Sequence, residues 1–512
     1  MRVGKEIFVL LLLIAPLTGL RGQSSQAVPL AFKDFTIHQL TQNTFLKEGP
    51  MTAIDQEGKL LVAWQELGGD GLYHWYDRVY KPLEKEWAPE EAIVSSPYAT
   101  TNFRVVGGED GTFLALWREG DGLVRYSLRS EATGWSLPLD LPFAQGLSAP
   151  FHVLYHRYSQ AFRLFWTVTD LNGLTLLMGK TLNKSGEWSQ ESLLYTSTQP
   201  LEDYKVSLDS EGHIYLVYSL KGAQESLVVF TTNRGGAFPE QPYRVDVTNG
   251  RNLYPTFAVD PQGEKLLFAW YNGTTNRYVY RALSYAGVQT QWGEVADLDH
   301  AHSHAPYYRS DATFLLDRFY YTYIGWDENL CVREYKEGTW GEPIRITKSG
   351  NLRESLIQSG FSFGLTLSWM DFTEPQGQVF VAFYERRGLF PVVSFTQKGE
   401  KGDSLFYHFQ YNELQWTNSP FNLADGKNRV SKFYLYRALS NEPFLFAEPP
   451  LKSFAITGGD SSGLQVVEPY TQFSFKDYAL ASSHTPGDYK YALVAVDADG
   501  NLSEPVVAQL LP

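Results

Sequence analysis

The chain has 512 residues and a formal net charge of −14, with hydrophobic residues at 43%, aromatics at 15% and charged residues at 20%. A chain of this length exceeds one ordinary core, so at least two domains are expected. The acidic balance, without a basic cluster, argues against nucleic acid and anionic membrane surfaces as partners.

Residues 1 to 22 read as a secretory signal peptide. Arg2 and Lys5 precede an apolar run from Ile7 to Leu20 that is too short and too early for a membrane span. Cleavage is expected near Gly22, with Ala27 as the alternative. No Cys follows the run, which excludes a bacterial lipid anchor, and no later stretch reaches the roughly 20 apolar residues of a spanning helix. Loss of residues 1 to 22 removes Arg2, Lys5, Arg21 and Glu6, a net +2, so −14 becomes −16. The mature chain is expected to be exported without membrane insertion, either to the periplasm or to the outside. Its single cysteine, Cys331, lies in the strand-like LCVREY and reads as a small core residue. A large exported chain without disulfides points to a bacterial source.

Residues 23 to 33 form a lead. From residue 34 the pattern is repetitive. Asp55 to Trp64 (DQEGKLLVAW), Asp209 to Tyr218 (DSEGHIYLVY) and Asp260 to Trp270 (DPQGEKLLFAW) each join a polar Gly turn to an apolar strand ended by an aromatic ring. Similar strands end at Trp117, Trp166, Tyr323 and Phe383. The anchors Trp64, Trp117, Trp166, Tyr218, Trp270, Tyr323 and Phe383 are separated by 53, 49, 52, 52, 53 and 60 residues, the size of a four-stranded propeller blade.

A second aromatic series, Trp87, Trp135, Trp188, Phe238, Trp292 and Trp340, falls between the anchors, where an outermost strand belongs. A seventh copy after Phe383 is missing, but Phe35 to Gln42 (FTIHQLTQ) resembles Tyr243 to Asn249 (YRVDVTN). The N-terminal strand is therefore expected to complete the last blade and close the ring. The fold class is all-β: a seven-bladed β-propeller over residues 34 to 403, with six or eight blades as alternatives.

Several segments are candidates for function. Arg104 and Arg353 lie near the starts of inferred inner strands, as does Arg309, and all three could face the central opening. His152 and His156, with Tyr155 and Arg157, begin another such strand. Asp299 to His304 (DHAHSH), followed by Tyr307, Tyr308 and Arg309, is the most unusual local feature. If extended, it places His300, His302 and His304 on one face, as a divalent-metal or general-base group or as a polar ligand surface. Whether a metal is held there stays open, and no cofactor is expected. Trp75 and Trp326 are candidates for stacking on a sugar ring.

Near the middle of the chain, Thr231, Asn233, Gly235 and Phe238 in TTNRGGAF hold the offsets of an Asp-box, with Asn in place of Asp. The repeats thus resemble sialidase-like propellers, in which this box is a folding element on the rim. The resemblance implies an arginine triad and a Tyr nucleophile in active members. The Arg-Ile-Pro segment that carries the first arginine is absent here.

Past the polar stretch Lys398 to Ser404 (KGEKGDS), residues 404 to 512 carry Trp416 on an early strand, Tyr434 and Tyr436 on a middle strand, and Tyr489 six residues before Ala495. These resemble a fibronectin type III module of exported bacterial proteins, whose aromatics fill a sandwich core. Alternatively, KGEKGDS is a hairpin turn and Leu405 to Phe409 closes the last blade. Two functions stay open: a non-catalytic recognition protein with a glycan or protein ligand at the propeller mouth, or a carbohydrate-active enzyme, either a sialidase-like glycosidase or a polysaccharide lyase.

Overall fold

The computed structural model describes residues 35–512 apart from 56–57, 83–84, 110, 121, 143–149, 157–158, 222–224, 248–249, 287–288, 302–309, 316–317, 337, 348–351, 361–363, 374, 386–391, 393, 404–407, 419–421, 425–426, 429, 441–443, 445–448, 456–471, 479, 481–484, 499–501, 504 and 512. Among the described residues the chain is all-β. Residues 36–385 form seven antiparallel sheets of four or five strands, the arrangement of propeller blades. In the first sheet Lys47–Ile54, Leu60–Leu67, Tyr73–Lys81 and Glu86–Trp87 lie side by side in chain order, and Glu91–Ser96 also pairs with the third strand.

The first strands of the seven sheets are Lys47–Ile54, Thr101–Gly107, His152–His156, Glu202–Leu208, Asn252–Val259, Asp311–Leu315 and Leu352–Gly360. Each touches the next, and Leu352–Gly360 touches Lys47–Ile54, so the row closes on itself. Successive sheets bury their faces against each other. Leu61, Ala63 and Trp75 of the first sheet, for example, share a core with Phe103, Phe113 and Trp117 of the second.

The N-terminal strand takes the outer position of the seventh sheet. Thr36–Gln39 pairs antiparallel with Gln378–Glu385, Thr36 opposite Phe383 and Gln39 opposite Phe380. Polar bonds continue the seam: Leu40 N donates to Val379 O at 2.8 Å, and the buried Thr41 hydroxyl donates to Gln378 Oε1 at 2.9 Å. Phe383 therefore lies on the third strand of its sheet. The residue equivalent to the other anchors is Trp369, on the second strand Gly364–Asp371. Both strands alternate apolar residues and carry an aromatic near the end, so the spacing alone selects the wrong one.

The Asp of each repeated turn is a folding residue. Asp55, Asp209 and Asp260 are buried and accept backbone amides: Lys59 N at 2.8 Å, His213 N at 2.9 Å and Glu264 N at 2.6 Å. The Asn of TTNRGGAF behaves in the same way, since Asn233 Oδ1 accepts Ile214 N at 2.7 Å.

Residues 394–511 build two further four-stranded sheets. One is ordered Gln472–Asp477, His408–Thr417, Ser394–Asp403, Gln509–Leu511, and the other Lys452–Ala455, Val430–Leu439, Tyr489–Asp497, Val506–Val507. Trp416, Phe433, Leu435, Tyr491 and Leu493 fill one core, which makes the pair a sandwich. The strand Ser394–Asp403 pairs with His408–Thr417 along its length, so the polar stretch is strand from Lys398 to Asp403, and this sheet of the sandwich includes residues before 404. The polarity of the stretch is that of an outward face, where Lys398 and Glu400 pair in solvent; the preceding Gln397 is buried and donates to Tyr489 O at 2.9 Å. Of the stretch Leu405 to Phe409, the first three residues fall outside the described residues and His408 and Phe409 pair with Asp403 and Gly402 in the sandwich, while Thr36–Gln39 holds the outer place of the seventh sheet. The buried tyrosine hydroxyl of the sandwich belongs to Tyr491, which donates to Asp477 Oδ2 at 2.7 Å and accepts Asn412 Nδ2 at 3.0 Å.

Candidate functional site

A bulge recurs at the start of the first strands. In the first, second, fourth and fifth sheets the pairs 49–50, 102–103, 203–204 and 254–255 each stand opposite one residue of the second strand. These opposing residues are the anchors Trp64, Trp117, Tyr218 and Trp270. The first residue of each bulge is left-handed: Gly49 at φ 58°, Asn102 at 53°, Asp203 at 48° and Tyr254 at 53°. Non-glycine residues in this region are strained by roughly 1–3 kcal/mol each, and bulges re-aim the side chains that follow them. The seventh sheet has the same register shift, between Arg353 and Leu356.

Arg104, Lys205 and Thr256 follow the bulges. Lys205 Nζ lies 2.7 Å from Asp311 Oδ1 and 3.0 Å from Thr256 Oγ1, and Thr256 Oγ1 donates to the same carboxylate oxygen at 2.9 Å. The lysine of the fourth sheet thus reaches past the fifth to the sixth, which places this cluster on the side of the first strands that faces the ring's opening. On the other flank, His152 meets the ring of Tyr204 edge-on at 4.7 Å, and the Arg104 charge acts on Tyr204. Tyr204 is buried and its hydroxyl donates to Pro150 O at 2.6 Å. Burial drives its pKa well above that of an ordinary phenol, with Arg104 opposing.

Arg104 and His152 therefore sit on neighbouring first strands at this opening. Arg353 lies on the first strand of the seventh sheet. His300 does not join them: it ends Ala296–His300, which pairs with the third strand of the fifth sheet, and its Nε2 lies 3.1 Å from Arg277 Nη2 in an exposed position. His302, His304, Tyr307, Tyr308 and Arg309 fall outside the described residues, as does Arg157. No group of three His, Cys, Asp or Glu side chains among the described residues is placed to hold a metal ion. His156 is a core residue, its pKa lowered to about 4 by burial and then by Arg163. Cys331 is buried and its thiol is pushed up to about 12 by desolvation.

Trp75 is also core, stacked on Phe103 with ring centroids 3.5 Å apart and its indole N–H directed at Thr100. Trp326, by contrast, is 63% exposed in a turn between second and third strands. Such turns share an end of the ring with the connections into the first strands. Tyr98, 55% exposed, lies in one of those connections, and Tyr254 is exposed at its bulge. Sequence periodicity missed Lys205, Thr256, Asp311 and Tyr204. Lys205 and Thr256 each stand directly after the bulge pair that faces an anchor, and Tyr204 lies within such a pair, whereas Asp311 lies in a strand pair without a register shift; no single motif marks any of them.

Other arginines serve the fold. Arg78, Arg281 and Arg333 lie over Trp87, Trp292 and Trp340, and their Nε atoms donate to the carbonyls of Ala88, Gly293 and Gly341 at 3.2, 2.8 and 3.0 Å. At the opposite end of the ring, where first strands turn into second strands, Glu211 pairs with Lys490 of the sandwich at 2.8 Å.

No family model matches the chain, and no curated protein matches it. Among solved structures it is similar to a Hadza microbial sialidase, at 14% identity and a TM-score of 0.38, over 54% of this chain and 63% of that one. It is similar to the BP39L lectin from Burkholderia pseudomallei, at 11% identity and a TM-score of 0.41, over 76% and 96%. A fungal alcohol oxidase of the AA5 family, in complex with copper, aligns at 12% identity and a TM-score of 0.46, over 92% and 100%. At such values none of them speaks for the chemistry of this chain.

Proposed function

We propose that the seven sheets are the blades of a seven-bladed β-propeller and that the sandwich after Glu385 is a fibronectin type III-like module. On this reading the exported protein recognises a glycan at the propeller mouth without cleaving glycosidic bonds. The observation that carries the proposal is the set of strained bulges opposite the anchor aromatics, which aim Arg104, Lys205 and Thr256 at the opening. The Arg104 guanidinium suits the carboxylate of an acidic sugar, the Lys205–Thr256–Asp311 cluster holds the neighbouring first strands in place, and exposed Tyr98, Tyr254 and Trp326 on the same end offer faces for pyranose rings. The ion pair with the sandwich lies at the far end, which leaves this end to the ligand.

His152, Tyr204 and Arg104 are also the residue types of a polysaccharide lyase, in which a base takes the proton beside a uronic carboxylate. Here the Tyr204 proton is committed to Pro150 O, and burial opposes ionisation of the phenol. That favours binding over elimination.

The test is a library of acidic and neutral glycans incubated with the chain from residue 28 onward, with retained ligand and product masses followed over time. Retention of an acidic glycan without cleavage products is expected. Arg104→Ala and Trp326→Ala should each weaken it by roughly tenfold, the worth of one charged or stacking contact. Shortened glycans among the products would replace recognition with hydrolysis or lysis, and no retention would sink the glycan reading.

A further inference from the structure

The first sheet carries a second constellation, away from the first strands. His74 Nδ1 lies 2.8 Å from Ser95 Oγ, and His74 Nε2 lies 3.1 Å from Asp70 Oδ1 and 3.2 Å from Asp70 Oδ2. His74 and Ser95 are register partners on neighbouring strands, so backbone pairing holds imidazole and hydroxyl together. Asp70 comes from the turn before the His74 strand, where its Oδ1 also accepts Leu72 N at 3.0 Å. That turn is shaped to the pair: a Cβ on Gly68 would stand 2.6 Å from Asp70 Oδ1 and 2.7 Å from His74 Nε2. Only glycine lets the carboxylate and the ring close up there.

Exposure is graded in a useful direction. Ser95 is exposed, whereas the His74 side chain is only 14% exposed and lies against Tyr76, with ring centroids 5.6 Å apart. Phe45, itself exposed, lies over the turn, 3.6 Å from where a Cβ on Gly69 would be. An accessible hydroxyl, a sheltered base, a carboxylate on the base's other nitrogen and an apolar ring alongside are the parts of an acyl-transfer site.

We propose that Ser95, His74 and Asp70 form a hydrolytic site for small acyl esters on the rim of the first sheet. Ser95 Oγ attacks the ester carbonyl carbon while its proton passes to His74 Nδ1, and the carbonyl electron pair moves onto oxygen. Collapse breaks the bond to the alkoxy group, which leaves with the proton from His74. Water then attacks acyl-Ser95 by the same route, releasing the carboxylic acid and restoring Ser95. Asp70 accepts the His74 Nε2–H throughout and orients the ring. The site lies on the same end of the ring as the mouth but uses none of Arg104, Tyr98, Tyr254 or Trp326, so Ser95→Ala can abolish ester turnover while glycan retention stands.

The test uses the full chain with a fluorophosphonate probe and with 4-nitrophenyl acetate. A probe adduct on the Ser95 peptide is expected, together with ester turnover that Ser95→Ala reduces to the rate in buffer. His74→Gln is expected to slow turnover by about a hundredfold and Asp70→Asn by about tenfold or more. Asp70 and Ser95 lie at the surface while His74 is largely sheltered between them, so thermal unfolding of the variants tests separately for damage to the fold. No adduct on Ser95, or turnover that survives Ser95→Ala, overturns the proposal. Variants that lose thermal stability while the unaltered chain takes no label would assign the trio a structural role instead.

Discussion

Asp77 is fully buried between the first and second sheets. Trp135 Nε1 donates to one of its oxygens at 3.3 Å, and Arg129 Nε stands 3.8 Å from the other, too far for a hydrogen bond. Burial pushes the carboxyl up from 3.8 to about 7, with Arg129 and Trp135 opposing. The folded value lies above the unfolded one, so the folded chain holds a proton that the unfolded chain has released. The contribution of Asp77 to stability is therefore full below its unfolded value of 3.8 and is lost as pH rises through about 7. Asp77→Asn removes this titration. Its urea midpoint should fall less between about pH 5 and about pH 8 than that of the unaltered chain. Parallel pH profiles for the two proteins would mean that Asp77 does not titrate in this window.

The bulge is the element that converts repetition into a site, and it rests on backbone conformation more than on residue type. Gly49, Asn102, Asp203 and Tyr254 share the left-handed conformation but little chemistry. Asn102→Gly should change stability by less than about 1 kcal/mol, whereas Asn102→Val should cost more than about 1 kcal/mol, since a β-branched residue is poorly tolerated at positive φ. Equal denaturation midpoints for the two variants would show that the bulge relaxes without strain. The variety of residues at these positions also explains what the sequence leaves hidden. The Gly turns and buried anchor rings recur in type, because each packs in the same way in its sheet, and the blade period is legible from them. The bulges recur only in geometry, so Lys205, Thr256 and Asp311 look like ordinary strand residues. Arg104 and His152 were legible because they stand near strand starts. Trp75, a candidate for stacking on a sugar ring, instead stacks on Phe103 in the core, because it occupies an inward position of the strand Tyr73–Lys81.

At the scale of the whole molecule, closure rests on the N-terminal strand. Without Thr36–Gln39 the strand Gln378–Glu385 becomes an open edge, and Phe35 and Leu40 leave the cores they share with Leu365 and Leu367 and with Trp64 and Val381. Burial of two such side chains stabilises by about 3–6 kcal/mol, on the order of half the margin of an ordinary domain. Polar bonds deepen the loss, because buried Gln378 and the Val379 amide both give up the Thr41 hydroxyl. A chain starting at residue 43 is therefore expected to unfold at clearly lower urea than one starting at residue 28. It should also associate through the bare edge, as light scattering would report. A synthetic peptide spanning residues 34–42, added in trans, should restore the monomer by adding back the missing strand. If the shortened chain unfolds at the same urea concentration and stays monomeric, the first and seventh sheets hold together through Lys47–Ile54 and Leu352–Gly360 alone, and the N-terminal strand only covers an edge.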